Sequence, residues 1–186
     1  MARYLFIVIA ILSFNKQLSA QSSSLQSFIP AGYSILDSAA GDFNKDRLKD
    51  YILILKVNEE ENDADTTRPL LLLMGMADNQ YQLAARNDSV VLCKGCGGVF
   101  GDPYAGITIK NNFFSIEHYG GSNWRWTRII TFRYDANTKQ FILHRDAGES
   151  FHTSDPDKKK LDIHNKEDFG KLFFTEYSYD KVWRNR

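Results

Sequence analysis

Oxygen-bearing side chains fall at Asp42, Asn44, Asp46 and Asp50 in the stretch A-G-D-F-N-K-D-R-L-K-D-Y-I-L-I-L, residues 40–55. These are positions 1, 3, 5 and 9 of a short loop, a spacing that lets the chain wrap oxygens around one hard cation. A backbone carbonyl near Leu48 fills in the set, and calcium is the ion it suits. The expected role is structural, holding the entry to the apolar run that begins at Tyr51. An EF-hand is excluded, because position 12 is Leu53 where a bidentate Glu belongs and a strand-like run replaces the second helix. The competing reading is a solvated turn in which Lys45, Arg47 and Lys49 pair with the aspartates, at about 0–1 kcal/mol per pair.

A second group with chemical potential is aromatic. His118, Tyr119, Trp124, Arg125 and Trp126 lie in and around H-Y-G-G-S-N-W-R-W and form a possible ligand surface for a sugar or peptide. Trp124 and Trp126 are also in phase with Ile130 and Phe132, the placement of core residues, which leaves Arg125 and Arg133 on the opposite face. Arg128 interrupts the apolar face and calls for a bulge or a charge partner. His118 with Glu117, Asp102 or Asp146 is the one grouping that suggests hydrolysis. Neighbouring strand residues point to opposite faces, which weakens a joint role for Glu117 and His118. The sequence contains neither a G-x-S-x-G elbow nor H-E-x-x-H, so no catalytic residues are assigned.

Cys93 and Cys96 are the only cysteines, arranged C-K-G-C. Zinc needs two further ligands, and a thioredoxin-like pair opens a helix, where Gly97-Gly98 is a poor start. In an exported chain the pair is expected to form a local disulfide, with a stabilisation of about 2 kcal/mol for so short a loop.

Export is expected from the N-terminus. Arg3 precedes an apolar run over 4–14, and Leu18-Ser19-Ala20 places a small residue at a cleavage point, so residues 1–20 read as a signal peptide. The run is shorter than the roughly 20 residues a spanning helix needs, so no stable membrane span is expected after cleavage. The 23 basic side chains balance 23 acidic ones and are interspersed with them. That balance argues against nucleic acid and against a polybasic membrane patch. Residues 21–27 read as a flexible leader and 28–186 as a single β domain.

Helix signals are sparse. The runs at 51–57 and 70–76 are apolar on both faces, as buried strands are. Segments 81–85 and 90–92 are expected to flank an Asn87-Asp88 turn. Asn111-Asn112 and 135–139 are expected hairpin turns, followed by a strand at 140–145. Ser154-Asp155-Pro156 and 165–170 offer one or two short helical turns, and 172–177 reads as a last strand. The fold class is mainly β, with antiparallel sheets and hairpins in a compact propeller-like or sandwich-like arrangement.

The pattern G-D-F-N-x-D-x-x-x-D followed by an apolar strand resembles the FG-GAP/VCBS-type repeat, with Arg47 standing where that family usually has glycine. The resemblance covers residues 41–55 and implies calcium held by a strand-linking loop. No second copy occurs, so it implies no repeated blade. The C-G-G-x-F-G-D-P and H-Y-G-G-S-x-W-R-W segments resemble a group of small exported bacterial proteins, which implies no particular activity. The function expected is an exported, non-enzymatic, calcium-stabilised β domain binding a protein or glycan at the cell envelope, secreted or periplasmic. The alternatives are a secreted hydrolase using His118 and a carboxylate, or an inhibitor or structural envelope protein.

Overall fold

The computed structural model describes residues 24–58 and 66–183. The signal peptide expected over 1–20 lies outside the described residues. Two antiparallel meanders account for the architecture. The first sheet runs β1 (Tyr33–Gly41), β2 (Asp50–Val57), β3 (Arg68–Gly75) and β4 (Tyr81–Val91). The second runs β5 (Tyr104–Lys110), β6 (Phe113–Gly121), β7 (Trp124–Asp135), β8 (Gln140–His152) and β9 (Asp155–His164). Within each sheet every strand pairs with its neighbour in sequence. Neither sheet closes on itself, and of the two arrangements expected the sandwich-like one fits. The described helices are short: α1 (Lys166–Phe169) and α2 (Tyr179–Trp183).

The doubly apolar strands explain the layers. Ile52 and Ile54 of β2, with Leu70 and Leu72 of β3, pack against Phe114, Ile116, Ile130 and Phe132 of the second sheet. Their alternates Leu53, Leu55, Leu71 and Leu73 face the other way into a second cluster. Leu25, Phe28 and Ile29 pack onto that cluster, with Leu25–Phe28 forming a 3-10 turn. Partial burial of these apolar side chains is why this part of the expected flexible leader packs against the sheet. Side-chain bonds tie the layers at their margins. Tyr104 Oη donates to Asp37 Oδ2 at 2.7 Å, and Arg68 forms a two-point ion pair with Asp102 at 2.7 and 2.8 Å.

Three local expectations need correction. Residues 81–91 form one strand, not two segments around a turn. Asn87 is buried, and its side-chain amide donates to the carbonyls of Phe174 at 2.6 Å and Tyr177 at 3.0 Å. The polarity that reads as a turn therefore serves a tertiary contact, beside an irregularity in the β3–β4 register. Asp155-Pro156 begins β9 instead of a helical turn. β9 is an edge strand, where proline's missing N–H is tolerated. Residues 172–177 make only an isolated bridge, Ile142 to Phe173, before a 3-10 turn at Phe174–Glu176. The turn at 165–170 is α1, with the Asn165 N–H bonded to Asp168 Oδ2 and Gly170 ending it at φ 69°.

Candidate functional site

The Asp42 loop joins β1 to β2 and is closed by its own amides. Asp42 accepts from the N–H groups of Asp46 (3.1 Å) and Arg47 (3.0 Å), while Asn44 Oδ1 also accepts from Asp46 N–H. Asp46 Oδ1 accepts from Leu48 N–H at 2.8 Å, and Asn44 Nδ2 donates to Asp46 Oδ2 at 2.7 Å. Asp50 is fully buried and takes N–H donors from Phe43 and Gly75, both at 2.8 Å, so it ties the loop to the end of β3. Burial raises its pKa, and the charges of Asp46 and Asp42 push the same way against those two hydrogen bonds. Lys45 and Arg47 both adopt positive φ, 64° and 71°, so the chain makes the sharp turn without glycine. As to fit, carboxylates repel one another around a buried aspartate, which a cation would offset. Against this, the side-chain oxygens are engaged by amide donors, and no group of three His, Cys, Asp or Glu side chains among the described residues is arranged to hold a metal.

The charge partner that Arg128 calls for is Asp146, on the adjacent strand β8. Arg128 Nε and Nη2 donate to the two Asp146 oxygens at 2.9 and 2.6 Å. Tyr177 Oη accepts from Arg128 Nη2 at 2.7 Å and donates to Asp146 Oδ2 at 2.6 Å. Trp183 Nε1 donates to the same oxygen at 2.9 Å. Burial works against the Arg128 charge, but the bonds and charges of its partners outweigh it and raise its pKa. Burial raises the Tyr177 phenol well above its ordinary value. The network clamps the C-terminal segment onto the core-facing side of the second sheet.

Beside this clamp lies a cleft of about 280 Å³. Strand alternation and register set its floor: Arg128 lies opposite Gly148 and that residue opposite Asp162, while Trp126 lies opposite Ser150. Tyr179 and Trp183 of α2 make the facing wall, one helical turn apart with rings 3° from parallel. The Arg128 guanidinium carbon sits 4.7 and 4.9 Å from those two ring centroids. Trp126 is seated by Gly120, where an added Cβ would lie 2.6 Å from the indole and 2.9 Å from the Gly97 carbonyl. The H-Y-G-G segment thus provides close packing, not merely flexibility.

The five residues of the expected ligand surface separate. Trp126 lines the cleft. Trp124 is 62% exposed, against the core role its phase suggested, and meets His152 edge-on. Tyr119 and Arg125 belong to the opposite face, where Phe100 lies under the Arg125 guanidinium at 3.7 Å and beside Tyr119. His118 is 2% exposed. Its Nε2 accepts from Leu92 N–H at 3.2 Å, which places the proton of the neutral ring on Nδ1, an atom without a hydrogen-bond partner. Burial, then the Arg128 charge, lowers its pKa to about 4. Of its proposed partners, Glu117 accepts from Thr108 Oγ1, Asp102 pairs with Arg68, and Asp146 pairs with Arg128.

Comparison with protein-family models, with curated proteins and with solved structures finds no match to this chain. The disulfide Cys93–Cys96 forms, spanning a 3-10 turn at Lys94–Gly97 that leads into the bend behind Gly120. Among the described residues no helix is long and apolar enough to cross a membrane.

The cleft residues missing from the sequence reading are Tyr179, Trp183, Ser150 and Asp162. Tyr179 and Trp183 carried a signal, an aromatic pair at i,i+4 spacing that shares one helix face. Ser150 and Asp162 carried none, since they reach the cleft only through the β7–β8–β9 register.

Proposed function

We propose that this chain is an exported, non-enzymatic β domain, stabilised by calcium, that binds a protein or glycan at the cell envelope. The observation that carries this reading is the cleft lined by Trp126, Tyr179 and Trp183 beside the buried Arg128–Asp146 pair. Aromatic side chains supply large contact area at low entropy cost, and a rigid frame reduces the ordering penalty on binding. A hydrolytic alternative gains little from His118, whose Nε2 lone pair is already engaged and whose ring is buried. Calcium at the Asp42 loop is supported by the oxygen spacing and by the repulsion around Asp50; binding there requires Asp42, Asn44 and Asp46 to exchange amide contacts for the ion.

Binding is tested with purified protein and cell-envelope fractions separated into glycan and protein. Retention on one fraction, lost in Trp126→Ala with the fold intact, is expected; equal retention by both proteins would remove the cleft from the function. Calcium is tested by thermal unfolding with excess ion and then with chelator. A bound ion at about a hundredfold excess over Kd adds about 2.7 kcal/mol, a melting shift of several degrees. That shift is expected to vanish in Asp46→Ala, and its absence in the parent protein would make the loop an ordinary turn.

A further inference from the structure

We infer that the cleft between the second sheet and α2 takes one neutral sugar ring. The inference rests on the binding reading above and narrows its ligand to one class. Charge balance is the first argument. The two charged side chains that strand alternation turns into the cleft are Arg128 and Asp162. Arg128 is neutralised by Asp146 at 2.6 Å, and Asp162 is paired with Lys160 at 3.1 Å. Glu149 borders the cleft too, but alternation turns its side chain outward, where it pairs with Lys159. An anionic ligand would meet a guanidinium whose charge Asp146 already offsets. A cationic ligand would compete with Arg128 for the faces of Tyr179 and Trp183, which that guanidinium already occupies.

The surface chemistry gives the second argument. Trp126 offers an apolar wall suited to the C–H face of a pyranose, and Tyr179 and Trp183 close the opposite side. Ser150 and Asp162 sit on the strand floor and supply hydroxyl and carboxylate acceptors. The Lys160 pair engages Asp162 Oδ2, and a carboxylate has about four lone-pair sites, so acceptor capacity for sugar hydroxyls is left over. A purely apolar ligand would cover the Ser150 hydroxyl and the cleft side of the Asp162 carboxylate without offering either a hydrogen bond. Size is the third argument. The volume of about 280 Å³ lies at the lower limit of small-molecule sites, roughly 300 Å³, which suits one ring better than an extended chain segment.

The test uses tryptophan fluorescence and calorimetry on the purified protein. The probes are methyl glycosides of neutral hexoses and N-acetylhexosamines, oligogalacturonate as the anionic probe, chitosan oligomers as the cationic probe, and an unrelated extended peptide. A neutral glycoside is expected to bind with a Kd that changes by less than about twofold between about 50 and 500 mM salt. Trp126→Ala is expected to weaken it by about tenfold or more, while Leu83→Ala, on the other sheet, leaves it unchanged. Ser150→Phe, which fills the cleft instead of emptying it, is expected to abolish binding and guards against a Trp126→Ala protein that fails to fold. Tighter, salt-sensitive binding of a charged probe, or of the peptide, lost in the same variants, overturns the neutral-sugar assignment and leaves the binding reading in place. Neutral binding that survives both cleft variants overturns the assignment as well. If no probe binds while an envelope fraction is retained through Trp126, the sugar assignment fails alone; if nothing depends on Trp126, both fail.

Discussion

Asp146→Ala is expected to lower the unfolding free energy by about 3–5 kcal/mol, measured by urea denaturation at neutral pH. Asp146 has no exposed surface and accepts four hydrogen bonds, two from Arg128 and one each from Tyr177 and Trp183. Its removal leaves a guanidinium with only 8% side-chain exposure and no counter-charge. The cost is that of a stranded buried charge, not the net value of the pair. Replacing both residues, Arg128→Met with Asp146→Leu, is therefore expected to recover much of the loss, and a double-mutant cycle measures how much. A loss below about 1 kcal/mol in the single variant would mean that water reaches the site and the pair does not organise the core. Because Tyr177 and Trp183 come from the segment that walls the cleft, the same variant is expected to lose ligand binding before it loses the fold.

Acid is expected to destabilise the protein through His118 in a defined window. Its folded pKa of about 4 lies below the ordinary 6.5. As pH falls below 6.5 the unfolded chain takes up a proton that the folded chain refuses, so stability falls from there down to about pH 4 and levels off. A shift of this size corresponds to at most about 3 kcal/mol. Burial is the main cause; the charges of Arg128 and Arg68 add to it, while those of Asp146 and Asp102 oppose it. Burial lowers His144 as well, in the same direction, so the slope of the parent protein alone does not isolate His118. His118→Gln does, because it keeps an acceptor for Leu92 N–H and removes the titration. The variant is expected to be flatter between pH 6.5 and 4; an unchanged slope would assign the acid sensitivity elsewhere. Asp102 acts outside this window: despite burial, the Arg68 and Tyr104 contacts hold its pKa below 3.8, so its contribution is lost only in stronger acid.

The oxygen ladder from Asp42 to Asp50, the disulfide at Cys93–Cys96 and the break at Arg128, a bulge or a charge partner, are legible without a fold, because each depends on spacing within a few residues or on a break in strand period. The two-faced apolar runs of β2 and β3 likewise announce strands buried on both sides, since a strand with one solvated face commonly alternates apolar and polar residues. The hairpin turn at Asn111 follows from a residue that tolerates φ of 57°, whereas Lys139 takes φ 53° without that tolerance. What these local signals leave open is which distant partner each side chain meets. Asp146 is an ordinary acid in the sequence and becomes the buried counter-charge of a residue 18 positions away only when β7 and β8 pair. Asn87 reads as a turn until the chain returns 87 residues later to place the Phe174 carbonyl against its amide. Strand alternation divides His118, Tyr119 and Arg125 between faces, and packing of α2 decides that Trp126 lines a cleft while Trp124 faces solvent. Side-chain type and short spacing encode strands, turns and local cross-links. Burial, charge pairing and the cleft depend on how the two sheets face each other and on where the C-terminal segment packs, and local chemistry does not specify either.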